Sequence, residues 1–81
     1  MPTIHRMGSV KIDMYSRDHL PPHFHALYGE FEALILIRDL TIYEGWIPNR
    51  QYKTIKDWAA GPSVRNMLLD NFYTLNPGLR K

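Results

Sequence analysis

Eighty-one residues make one domain with a thin core, so stability must come from close packing, a metal or a second subunit. The absence of cysteine rules out disulfides and thiolate zinc sites, and 44% hydrophobic with 22% charged residues describes a globular chain, not a disordered one. The net charge of +2 is too small to mark a nucleic-acid binder, although residues 51–81 carry five Lys or Arg against two Asp or Glu.

The longest aliphatic run, Ala33–Ile37, is far short of the ~20 residues a membrane helix needs. The opening MPTIHRMGSVKIDMY has no apolar signal-peptide segment, so a cytoplasmic location away from membranes is expected.

Taken in chain order, Gly8-Ser9 reads as a turn that pairs a short strand, Thr3–Arg6, with the alternating strand Val10–Tyr15. Asp18–Pro22 is a loop stiffened by two prolines. Alternation resumes over His23–Tyr28, with Phe24, Ala26 and Tyr28 on one face and His23, His25 and Leu27 on the other. Gly29 reverses the chain into Phe31–Ile37, whose apolar residues on both faces predict a central strand covered on each side. Asp39-Leu40 closes a further hairpin into Thr41–Glu44, which Gly45 and Pro48 end.

The period then changes. Tyr52, Ile55, Trp58 and Ala59 fall at helical spacing, Gly61-Pro62 breaks the pattern, and Val64, Met67, Leu68 and Phe72 form a second stripe. These stripes, and Trp58 with them, read as packing against the sheet. Trp46 reads as core edge or a dimer contact, and His5 as a surface residue. The result is a single α+β domain: an antiparallel meander of four or five strands over 1–48, helices over 49–76, and a frayed tail over 77–81. If the break lets the second helix swing out, its stripe would pair with another copy in a homodimer.

The segment DHLPPHFHALYGE, Asp18–Glu30, places three of the chain's four histidines within seven positions. Histidines at i and i+2 of a strand stand on one side, roughly 6.5–7 Å apart at Cβ. A divalent metal such as zinc would accept His23 and His25, with His19 folding back and Asp18 or Glu30 completing the set. Acid–base cleavage of a phosphodiester would use His19, His23 and His25 with Tyr15 as the candidate catalytic groups, and Arg17 and Arg38 as anion contacts. An open sheet face bearing His23, His25 and Leu27 beside Tyr15, Lys11 and Arg38 would instead dock a protein or nucleic acid. The plain alternative is that the prolines stiffen a connection while the histidine N–H groups satisfy loop carbonyls.

The same segment resembles the domain-of-unknown-function family 4160, whose pattern is Asp-His-x-Pro-Pro-His-Phe-His followed by Tyr-Gly. The likeness extends to Met1–Ile4, Gly8, Met14-Tyr15, Glu44-Gly45, Pro48 and Trp58-Ala59. It departs after Trp58, at the Gly61-Pro62 break and at Phe72, where a second Trp is common in the family. The resemblance implies a small bacterial protein that partners another small protein encoded by a neighbouring gene, in a regulatory or toxin–antitoxin-like pair.

Two functions are therefore carried forward. The first is a binding component acting through Asp18, His19, His23, His25, Arg17 and Arg38. The second is a metal- or histidine-dependent nuclease, with a metal set of His19, His23, His25 and Glu30.

Overall fold

The computed structural model describes residues 3–16 and 18–79. Five strands run β1 (Thr3–Met7), β2 (Val10–Asp13), β3 (His23–Tyr28), β4 (Phe31–Leu36) and β5 (Ile42–Gly45), all antiparallel and adjacent in chain order. Helices α1 (Asn49–Ala59) and α2 (Pro62–Leu75) follow. The break is real: Gly61 is extended at ψ 141 and Pro62 opens α2, where its missing N–H has no helical partner to lose.

Strand register explains which face became the core. The cross-strand row Ile12–Ala26–Ala33 and its neighbour Phe24–Ile35 point at the helices. These five side chains are fully buried against Ile55, Ala59, Leu68 and Phe72. Period-2 alternation in the strands thus meets the 3.6-residue stripe of the helices in one layer of core.

The prediction that β4 is covered on both faces needs correction. Helices pack on one face only; on the other, Glu32 is exposed and Leu34 is half-buried. Ile37 lies in the turn beyond β4, and Thr41 precedes β5. The aliphatic run Ala33–Ile37 reflects that turn as well as the sheet, because Leu36 and Ile37 are buried where the strand ends and loops fold over it.

Other single-residue readings change too. His5, expected at the surface, stacks face to face on Trp58 with ring centroids 4.5 Å apart. Trp58 also meets Phe24 edge-on, as a helix-to-sheet contact should. The tail expected to fray instead forms a 3-10 turn over Pro77–Leu79, with Leu79 packed on the core; residues 80 and 81 lie outside the described set. Among the described residues, no helix is long and apolar enough to cross a membrane.

One tertiary feature prepares the site. The described residues between β2 and β3 are fastened at Tyr15, Asp18 and Pro22. Asn76, the buried C-cap of α2, accepts the Asp18 backbone N–H at 2.7 Å and donates to the Tyr15 carbonyl at 3.1 Å and the Phe72 carbonyl at 3.0 Å. At the other end, the Ile37 N–H donates to the Pro22 carbonyl at 3.1 Å.

Candidate functional site: a carboxylate between two imidazoles

The fastened loop lays the Asp18 side chain over the first residues of β3. Its Oδ2 is 3.1 Å from His23 Nε2 and 3.4 Å from His25 Nε2, and its Oδ1 accepts the His19 backbone N–H at 2.9 Å. The strand supplies two imidazoles on one side, and a loop held by α2 supplies the carboxylate between them.

The far side of each ring is also engaged. His23 Nδ1 lies 2.9 Å from the Pro21 carbonyl, and His25 Nδ1 lies 2.9 Å from Glu32 Oε2. A carbonyl can only accept, so the N–H of neutral His23 is on Nδ1, and Nε2 carries its lone pair toward Asp18. His25 faces a carboxylate at each nitrogen, Glu32 at Nδ1 and Asp18 Oδ2 at 3.4 Å from Nε2, so either ring nitrogen can be its donor.

His23 is enclosed. Its side chain is fully buried, with Phe72 and His19 against its ring. Its Nε2, although close to Asp18, lacks hydrogen-bond alignment and has no hydrogen-bond partner. A buried imidazole nitrogen left this way is costly, on the order of 1–3 kcal/mol. His25 and Asp18 are each 14% exposed, so the cluster opens to solvent on the His25 side.

Electrostatics follow from these contacts. Burial pushes the Asp18 carboxyl up, but the His19 backbone N–H, the positive charge of protonated His23, and the hydrogen bond and charge of His25 outweigh it, and the carboxyl sits below its usual range. Tyr15 stands edge-on to His25 at 4.6 Å and donates a long 3.4 Å hydrogen bond to Asp13. Partial burial, and then the Asp13 carboxylate, push its phenol up.

The predicted residues are not all in one accessible patch. His23 is inside rather than on an open docking face, enclosed by the Phe72 and His19 rings and the Asp18 carboxylate. His19 is at the rim: its ring is exposed, with Nε2 3.7 Å from Asp18 Oδ1 and Nδ1 3.2 Å from the Leu20 carbonyl. The plain reading of loop carbonyls satisfied by imidazoles therefore accounts for one nitrogen of His19 and of His23.

Glu30, proposed as a ligand, is exposed in the β3–β4 turn; among the described residues, the group with converging ligand atoms is Asp18, His23 and His25. Arg38 is exposed and pairs with Asp39 at 3.7 Å. Arg17 lies outside the described residues.

Three participants escaped the sequence reading. Glu32 differs from Glu30 only by strand register, which pairs Leu27 with Glu32 and His25 with Leu34, so Glu32 sits diagonally beside His25 on one face. Asp13 is Cα partner to His25 and is buried, accepting from Thr3 Oγ1 at 2.9 Å with Lys11 Nζ 3.7 Å away. Alternation put Asp13 with Lys11 on the face opposite Ile12, and only the β2–β3 register, which places it beside His25, reveals its place. Asn76 offered none beyond its place at a helix end.

The family described as "Domain of unknown function (DUF4160)" has a model that matches residues 10–71, well over half of the chain. The chain belongs to this family. The matched DUF4160 span takes in Tyr15, Asp18, His19, His23, His25 and Glu32, and it ends before Asn76. No curated protein and no solved structure matches this DUF4160 chain.

Proposed function

We propose that the protein is a hydrolytic enzyme of the nuclease type, cutting phosphodiesters in single-stranded RNA through the Asp18–His23–His25 centre. The observation that carries this reading is the burial of His23 with its Nε2 aimed at a carboxylate. A docking face has no use for an enclosed imidazole, whereas a preorganised reactive centre requires its groups locked by packing and by contacts behind them.

The surroundings suit such a substrate. His19 is an exposed imidazole at the mouth, its Nδ1 held by the Leu20 carbonyl and its Nε2 placed to give a proton to a leaving oxygen or take one from an attacking hydroxyl. Tyr15 and Tyr43 are exposed, and Tyr43 lies 6.3 Å from the His19 ring, so aromatic faces flank the opening where bases would stack. Lys11 stands on the same sheet face as His25.

A second reading, docking of a small neighbour-encoded protein, is favoured by one observation. Tyr43 and Trp46 are exposed on and just after β5, the last strand in the sheet order, where a partner strand or helix would find apolar surface.

The test is cleavage of a fluorescent single-stranded RNA by the purified chain, compared with His19→Ala and His25→Gln variants of unchanged circular dichroism. Loss of at least about 100-fold in rate is expected for each variant. Wild type that leaves RNA intact, or variants that cut as fast as wild type, would end the nuclease reading. Capture of the neighbouring protein that is lost in Trp46→Ala would then favour docking.

A further inference from the structure

We propose that Asp18 Oδ2, His23 Nε2 and His25 Nε2 together hold one divalent transition-metal ion of the zinc class. The inference deepens the nuclease reading by naming what its centre carries, and it is tested by binding rather than by turnover.

The first argument is distance. Ligands bound to one tetrahedral ion at 2.0–2.1 Å lie about 3.3–3.4 Å from each other. The two Asp18–His separations are 3.1 and 3.4 Å, and all three ligand atoms lie within 4.8 Å of one another. Small rotations of three side chains would bring the set onto one ion without moving the backbone.

The second argument is what stands behind the rings. Metal-binding histidines usually give their other N–H to a carbonyl or carboxylate, which fixes the tautomer and aims the free lone pair. His23 has the Pro21 carbonyl in that position and His25 has Glu32, each at 2.9 Å. The Pro21 carbonyl accounts for the Nδ1 contact of His23, the Glu32 carboxylate for that of His25, and a 3.4 Å hydrogen bond to Asp18 for the Nε2 of His25. They leave unexplained why the enclosed Nε2 of His23 is brought to the same carboxylate oxygen without a hydrogen bond.

The third argument is the orphaned atom. His23 Nε2 is buried and has no hydrogen-bond partner, even though Asp18 Oδ2 is only 3.1 Å away. A hydrogen bond needs the N–H aimed along the line to the oxygen. Two ligands of one ion do not point at each other; each points at the ion, off the line that joins them. The misalignment is therefore poor as a hydrogen bond and natural for co-ligands.

Donor chemistry selects the ion. Two imidazole nitrogens and one carboxylate suit zinc, cobalt, nickel or iron, whereas magnesium and calcium require mainly oxygen. Three protein ligands leave a position open on the exposed His25 side, next to His19, as in metal sites that perform chemistry.

The experiment titrates the chelator-stripped full chain with Zn²⁺ against a chromophoric competitor, and with Co²⁺ by visible absorption. One ion per chain, Co²⁺ bands of a low-coordinate site and a raised melting temperature are expected. Asp18→Asn and His25→Gln should each weaken Zn²⁺ binding by at least about 100-fold. Glu32→Gln, acting only from behind His25, should weaken it about 10-fold. His19→Ala should change it less than about threefold.

His23 is read in the wild-type chain, because truncating so enclosed a ring tests folding instead. On adding Zn²⁺, the Nε2 resonances of His23 and His25 should shift while those of His5 stay fixed. No saturable binding by the folded wild-type chain, binding that Asp18→Asn and His25→Gln leave unchanged, or shifts confined to His5 and His19 would each overturn the site. RNA cleavage by metal-stripped protein in chelator would sink the metal and leave the nuclease. Metal bound as described with RNA uncut would do the reverse.

Discussion

Gly45→Ala isolates how the sheet positions Glu32 behind His25. Gly45 has φ +84, and a Cβ there would lie 2.2 Å from the Glu32 carbonyl oxygen and 3.2 Å from Ala33 Cα. Both are backbone atoms of the neighbouring strand, so no side chain can swing aside. Left-handed backbone in a non-glycine residue costs about 1–2 kcal/mol. Relieving the clash separates β4 from β5, weakens the 3.1 Å bond from the Trp46 N–H to the Glu32 carbonyl by ~1 kcal/mol, and adds overpacking strain of about 1–3 kcal/mol.

The expected loss is therefore roughly 3–6 kcal/mol, with each kcal/mol lowering the melting temperature by about 4–8 °C in a domain this small. Gly29→Ala is the matched control. Gly29 also has positive φ, +58, but nothing stands within 4 Å of its added carbon, so only the backbone cost of about 1–2 kcal/mol applies. Thermal and urea melts of the two variants separate the contributions, and the His25 resonances should move in Gly45→Ala alone. Equal destabilisation by the two substitutions would refute the close-approach argument.

Three further outcomes follow from the contacts described. Asn76→Ala strands the Asp18 N–H and the Tyr15 carbonyl, while the Phe72 carbonyl keeps the backbone N–H of residue 76, so it should destabilise by about 1–3 kcal/mol and speed amide exchange at Asp18; slow exchange there would show that the loop is held by something else. Phe72→Ala, at the junction of α2 and the His23 ring, should cost about 3–5 kcal/mol in urea melts, and a loss below 1 kcal/mol would contradict its enclosed position. The Asp18 carboxyl titrates below its ordinary 3.8 in the folded chain, so its ionised form stabilises the fold above that value and the contribution is lost as pH falls through the folded pKa. In metal-free protein, the urea-midpoint gap between wild type and Asp18→Asn should be widest above about pH 4 and narrow on acidification; a gap that widens as pH falls contradicts the assignment.

The element order was legible from the chain because it depends on local periodicity. Alternation over His23–Tyr28 placed Phe24 and Ala26 on one face, and the core shows them fully buried there. Helical spacing likewise put Ile55, Ala59, Leu68 and Phe72 together. Reading Phe31–Ile37 as doubly covered failed for an instructive reason: an apolar run signals burial, but it does not say whether a helix or a loop does the covering.

By itself the sequence determined that two histidines share one side of a strand and that a loop with two prolines, bearing Asp18 and His19, leads into it, since both follow from residue pattern over a few positions. Which carboxylate backs His25 was decided by β3–β4 register, which favours Glu32 over Glu30. The burial of His23 and the fastening of Asp18 were decided by docking of α2, whose Asn76 reaches 58 and 61 residues back along the chain. Contacts of that range depend on how a helix lies across the sheet, and no periodicity in a short window of sequence encodes that direction.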